Sequence, residues 1–135
     1  MIACWQEKID AGTTSDHISA FWDIMPTLAE ITGTTPPPND GISLLPTFEG
    51  KKQVKHQYLY WEFPEGDGSK AIRMNNWKGY IGGIKKGNTT MQLFNLNTDP
   101  REQNDVANQF PEIVNELNNK MTEAHEEPKI KKFSM

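Results

Sequence analysis

A single cysteine, Cys4, stands among 135 residues, so neither an internal disulfide nor a cysteine-built zinc cluster can form. No apolar run approaches the roughly 18–20 residues that cross a bilayer, and no membrane is expected as a partner. Residues 1–8 carry no basic stretch followed by an apolar one, so no secretory signal is expected and no compartment is indicated. Basic residues are the minority, 14 against 18 acidic, for a net charge of −4. Nucleic acid is therefore not an expected partner, because binding it rests on Lys and Arg neutralising phosphates. Only Lys129-Ile-Lys-Lys132 is locally basic, and it reads as a solvated terminus. Apolar residues are sparse as well, at 36%, but 10% aromatics argue against disorder. A chain of this length buries roughly two thirds of its unfolded surface, enough for one modest core.

Chemical motifs are equally scarce. His17, His56 and His125 lie far apart in sequence, and no H-E-x-x-H, C-x-x-C or Asp-rich calcium loop occurs. The Gly82–Asn88 stretch lacks the G-x-x-x-x-G-K-[ST] spacing and reads as a hairpin loop. No serine stands in G-x-S-x-G. No catalytic residue and no metal ligand is assigned to the chain.

What is present is an ordered string of elements. Met1–Trp5 is a short apolar run that reads as a buried strand. Apolar residues at 21, 24, 25, 28 and 31 form a helical stripe, with Pro26 in the first turn and Gly33 as the stop. Three prolines at 36–38 stiffen a linker, where the main boundary is expected. Asp40-Gly41 marks a turn, and Ser43 is placed to cap a short helical turn through Phe48. From Gln57 the period changes to two. Tyr58, Tyr60 and Glu62 alternate with Leu59, Trp61 and Phe63, and further strands are predicted near 70–74, 77–81 and 91–96, an antiparallel meander. Asp99-Pro-Arg-Glu102 has the form of a capping box opening a helix. A last helix starts at Pro111 with Ile113, Val114, Leu117, Met121 and Ala124 on one stripe, to pack on one sheet face.

Individual side chains carry a plain reading and a sharper one. Cys4, in an apolar run, reads as a buried inert thiol. Asp23 reads as a helix cap or as hydrogen-bonded to the next turn, with a catalytic acid as the alternative, and His125 as a surface residue. His56 is a loop histidine or a substrate contact. Tyr58, Tyr60, Trp61, Trp77 and Tyr80 are sheet core or a sugar-stacking platform. Arg73 and Lys78, on adjacent strands, are exposed charges or a clamp for an anion.

The motifs taken in order resemble the sulfatase family. Ile2-Ala-Cys-Trp5 and Gly12-Thr-Thr-Ser15 resemble the strand and G-x-x-S that end its large domain, although Gln6-Glu7 stands where the family usually has Pro-Gly. Asp23 to Gly33 is similar to its D-x-x-P-T-L-x-x-x-x-G helix, and Asp40 to Pro46 to its D-G-x-S-x-x-P segment. Ala71-Ile-Arg73, Trp77-Lys78, Leu93 to Leu96, Asp99 to Ala107 and Pro111 to Ile113 resemble its closing strands and L-Y-x-L-x-x-D-P-x-E-x-x-N-x-A signature.

The resemblance implies an α+β fold: a four-stranded antiparallel sheet packed with a C-terminal helix, preceded by an orphan strand and helix from a larger α/β domain. Residues 1–33 correspond to the end of that large domain, 34–56 to a Pro-rich linker and short helical turn, 57–127 to the C-terminal subdomain and 128–135 to a flexible tail. Sulfatases hydrolyse sulfate esters with a calcium ion and a formylglycine made in a C/S-x-P-x-R motif. Cys4, followed by Trp-Gln-Glu-Lys, does not match it. Calcium and formylglycine are thus implied for a parent enzyme, periplasmic or secreted as many in the family are, and no cofactor for this chain. The expected partners are the rest of the large domain and sulfated carbohydrate, with His56, Trp61, Glu62, Arg73 and Lys78 as candidate substrate contacts. The alternatives are a free-standing module binding sulfated or anionic sugars on its aromatic strands, or a fragment whose first strand pairs with another chain's sheet edge.

Overall fold

The computed structural model describes residues 1–134; Met135, the end of the tail expected at 128–135, lies outside the described residues. The chain forms two compact units, Met1–His56 and Gln57 onward.

The first unit is built on one helix. A 3-10 turn at Phe21–Asp23 leads into α1 (Ile24–Thr32), which ends at Gly33 with a left-handed backbone, φ 68°. Pro26 sits in the first turn, where its missing N–H leaves no helical bond unmade. The Pro-rich stretch runs irregularly to Asn39, whose carboxamide accepts from Gly41 N–H and donates to Pro37 C=O. Gly41 is required by contact: a Cβ there would lie 2.3 Å from the Trp22 carbonyl oxygen. A single helical turn, α2 (Leu45–Phe48), follows, with Ser43 Oγ accepting from Leu45 N–H as the sequence indicates.

Two expectations fail in this unit. Residues 1–5 form no strand; the Trp5 carbonyl accepts from the N–H groups of Lys8 and Ile9 in a local turn, and Ile2 is almost fully exposed. A lone strand of five residues has no ladder to satisfy its backbone, so Cys4, expected inside, is also exposed. The apolar stripe of α1 is the second. Asp23, Thr27 and Ala29 are buried, whereas Phe21, Met25 and Leu28 are exposed. The helix turns its polar side inward because hydrogen bonds, described below, hold that side to residues 42–56.

The second unit is the predicted meander. Strands β1 (Leu59–Phe63), β2 (Ser69–Met74), β3 (Trp77–Gly82) and β4 (Gln92–Asn95) lie antiparallel in the order 1-2-3-4. Register pairs Tyr60 with Ile72, Ile72 with Gly79 and Gly79 with Leu93. These share one face, and α3 (Pro111–Ala124) packs on it. Ile72, Ile81, Met91, Leu93, Leu117 and Met121 form the core, and Ile113 and Val114 pack against it on the predicted stripe. Trp77 meets Phe110, the residue before α3, at 4.9 Å between ring centroids. The 83–88 loop is a 3-10 turn tied back by Gly83 and Ile84 N–H groups to Gly68 C=O.

The helix expected at Asp99 does not form. Asp99 Oδ2 accepts from the N–H groups of Gln103 and Asn104, but Glu102 is left-handed, φ 56°, which stops a helix from propagating. The Glu102 carboxylate reaches Lys78 rather than back to Asp99.

Candidate functional site

Three polar constellations stand out, one in the first unit and two in the second. In the first, Asp23 is fully buried. Its Oδ1 accepts from His56 Nε2 at 2.8 Å and from Ile42 N–H at 2.9 Å, and its Oδ2 accepts from Ala20 N–H at 2.7 Å. One turn along, Thr27 Oγ1 donates to Asp23 C=O at 2.6 Å and accepts from Leu44 N–H at 2.8 Å. The carboxylate takes three donors from within this unit and so braces the segment 42–56 against α1. His17 lies close by with its Nε2 buried and unpartnered among the described residues. Burial lowers its pKa; the Asp23 charge opposes this, and His56 and Lys55 reinforce it.

In the second unit one oxygen of Glu62 gathers three donors. Tyr60 Oη donates a short hydrogen bond to Oε1, His125 Nδ1 lies 2.5 Å from it and Lys70 Nζ 3.6 Å. Lys70 is the cross-strand register partner of Glu62, and His125 is the residue at which the chain leaves α3. His125, expected on the surface, is therefore only about a quarter exposed. Burial raises the Glu62 carboxyl, but the hydrogen bonds from Tyr60 and His125 and the Lys70 charge outweigh it and hold the group below its ordinary range. Burial and the bond to Glu62 push the Tyr60 phenol well above its ordinary value.

The third lies on the sheet face away from α3, which the pleat assigns to Leu59, Trp61, Ala71, Arg73, Lys78, Tyr80 and Phe94. Arg73 and Lys78 are directly opposed, two like charges side by side. Lys78 Nζ donates to both Glu102 oxygens, at 2.7 and 2.6 Å, and Arg73 Nε donates to Asn75 C=O at 3.3 Å. Of the five sequence candidates, Trp61, Arg73 and Lys78 thus share one face, Glu62 is on the other, and His56 belongs to the first unit. Sequence reasoning missed the Tyr60–Lys70–His125 contacts and the Glu102 pair. Only the Glu62/Lys70 alternation hinted at the former.

The model of the N-sulphoglucosamine sulphohydrolase C-terminal family matches residues 1–127. The chain belongs to the sulfatases, in their C-terminal portion. Human arylsulfatase K is 35% identical over 133 residues, covering 90% of this chain and 25% of that protein. Rat arylsulfatase G is 26% identical, covering 82% of this chain and 24% of its own length. Among solved structures, Ps i-CgsB in complex with k-i-k-neocarrahexaose matches with a TM-score of 0.72 at 27% identity, over 88% of this chain and 27% of that one. A protein solved with its substrate D-glucosamine-2-N,6-O-disulfate shares the fold, TM-score 0.72 at 24% identity, over 85% and 25%. This sulfatase portion spans about a quarter of the curated relatives it matches. Among its described residues no three His, Cys, Asp or Glu side chains are grouped to hold a metal ion. The exposed Cys4 is followed by Trp-Gln-Glu-Lys and not by the residues of the formylglycine motif.

Proposed function

We propose that this chain is the non-catalytic C-terminal quarter of an enzyme hydrolysing sulfate esters of sugars, and that it completes a larger α/β catalytic domain. The observation that carries the reading is the outward stripe of α1. Phe21, Met25, Leu28 and Ile31 recur at helical spacing and stay exposed while the polar Asp23–Thr27 side is buried. An amphipathic helix places its apolar side against protein, and relatives four times longer have chain to cover it. The sugar ligands printed for two structural neighbours support the substrate class. The face bearing Trp61, Arg73 and Lys78 is the part we assign to the substrate side. Glu62 lies on the opposite sheet face and His56 belongs to the first unit.

The test is to read the frame upstream of the Met1 codon and to produce the longer product. We expect an open frame encoding C/S-x-P-x-R and calcium-dependent turnover of an aryl sulfate, absent from the 135-residue chain alone and lowered by Leu28→Asp in the longer one. An in-frame stop directly upstream would overturn the reading. It would favour the second one, a sugar-binding module, for which the aromatic and cationic sheet face speaks. In that case calorimetric titration with a sulfated disaccharide should show binding that Trp61→Ala removes.

A further inference from the structure

We propose that Tyr60, Glu62, Lys70 and His125 form an acid-releasable clasp that holds the C-terminal end of α3, and the tail beyond it, against the sheet. The four side chains come from three places: β1, β2 and the residue that ends α3. All meet at a single carboxylate oxygen, Glu62 Oε1. The middle of α3 is held by Leu117 and Met121 in the core, but among the described residues no apolar one beyond Met121 is fully buried. The last turn of α3 carries no basic residue.

Release follows from what protonation does to that oxygen. As a carboxylate, Glu62 is acceptor only: it takes hydrogen bonds from Tyr60 and His125 and an ion pair from Lys70. Protonated, it becomes a donor itself, and Lys70 Nζ and His125 Nδ1 are left 3.5 Å apart with no anion between them. The remaining charged groups do not replace it. Glu127 Oε1 lies 3.5 Å from His125 Nε2 but is exposed, and Lys120 and Glu123 on α3 pair with each other. From β3 and β4 the residues facing α3 are Trp77, Gly79, Ile81, Leu93 and Asn95, none of them charged. Glu62 sits below its ordinary carboxylate range in the fold. The clasp is therefore complete above about pH 4.5 and opens as pH falls through the lowered value.

Amide hydrogen exchange on the 135-residue chain tests this independently of any catalytic partner. At pH 7, Glu62→Gln should accelerate exchange at residues 122–125 on the order of tenfold, as loss of a hydrogen bond to a charged group implies. The amides of Ile72 and Leu93 should keep the parent rate. His125→Ala should do the same, and the double variant no more than either single one. The parent should show the same local acceleration below pH 4.5, after correction for intrinsic rates, and Glu62→Gln should not. The clasp is overturned if Glu62→Gln leaves the last turn at the parent rate, if the sheet amides accelerate by the same factor, or if the acid response persists in Glu62→Gln.

Discussion

Asp23 holds three donors, two of them the backbone N–H groups of Ala20 and Ile42, which lie 22 residues apart. Removing the carboxylate leaves all three donors buried without a partner, and such losses are larger than the net worth of the bonds themselves. Asp23→Ala is expected to lower stability by about 3–5 kcal/mol in urea unfolding, the range for breaking one side of a buried pair. His56→Ala should cost less, because Asp23 keeps both backbone donors. An equal cost for the two variants would show that the imidazole, not the carboxylate, is the hub. At this scale the sequence reads Asp23 as a helix cap, but its side chain makes no cap bond to α1 and takes Ala20 N–H, Ile42 N–H and His56 instead. The sequence did not show the 33-residue reach to His56, because a contact of that span depends on how the chain folds back. Glu102 is the reverse case. Its position three after Asp99 reads as a capping partner, but Lys78 offers a charged partner and the backbone takes a left-handed turn to reach it.

Among the elements, α3 and the four strands follow the pattern of their residues closely. Period-two alternation put Tyr60 with Glu62 on one face and Trp61 on the other, and the observed register agrees. The α3 stripe is met by Ile72 and Leu93 at the centre of the sheet. Leu117 is completely buried there, so Leu117→Ala should cost about 2–5 kcal/mol through lost transfer energy and a cavity the rigid sheet cannot close. Chemical denaturation monitored at Trp77 would measure it. A cost under about 1 kcal/mol would mean that α3 is only loosely seated. Helix α1 obeys its propensities, with Pro26 and Gly33 where a helix tolerates them, yet shows the opposite side to solvent. Helical periodicity locates an apolar stripe but not the body that covers it.

For the whole molecule, the shifted groups define a window of stability. His17 is lowered from 6.5, so the unfolded chain takes up its proton first and stability declines as pH falls below about that value. Glu62 is lowered from 4.5, and its contribution is lost in turn as pH falls further. Tyr60 is raised from 10.0, so its contribution is complete below that value and fades as pH rises through it. Thermal melts should therefore be flattest between about pH 6.5 and 10. Tyr60→Phe should lose the alkaline decline, and His17→Gln should soften the acid one. A melting temperature that climbs steadily from pH 6 to pH 5 would contradict the His17 assignment.

The amino-acid sequence by itself determined the α+β class, the four strands with their faces, α3 and its buried stripe, and the family. Each of these rests on local periodicity or on an ordered string of short motifs. Only the tertiary structure decided which side of α1 is inside, that residues 1–5 form no strand, that Glu102 turns to Lys78 and that His125 joins Glu62 and Tyr60. Each of those depends on partners brought together from far along the chain, or on partners that the 135 residues do not supply. Period and propensity carry no information about either.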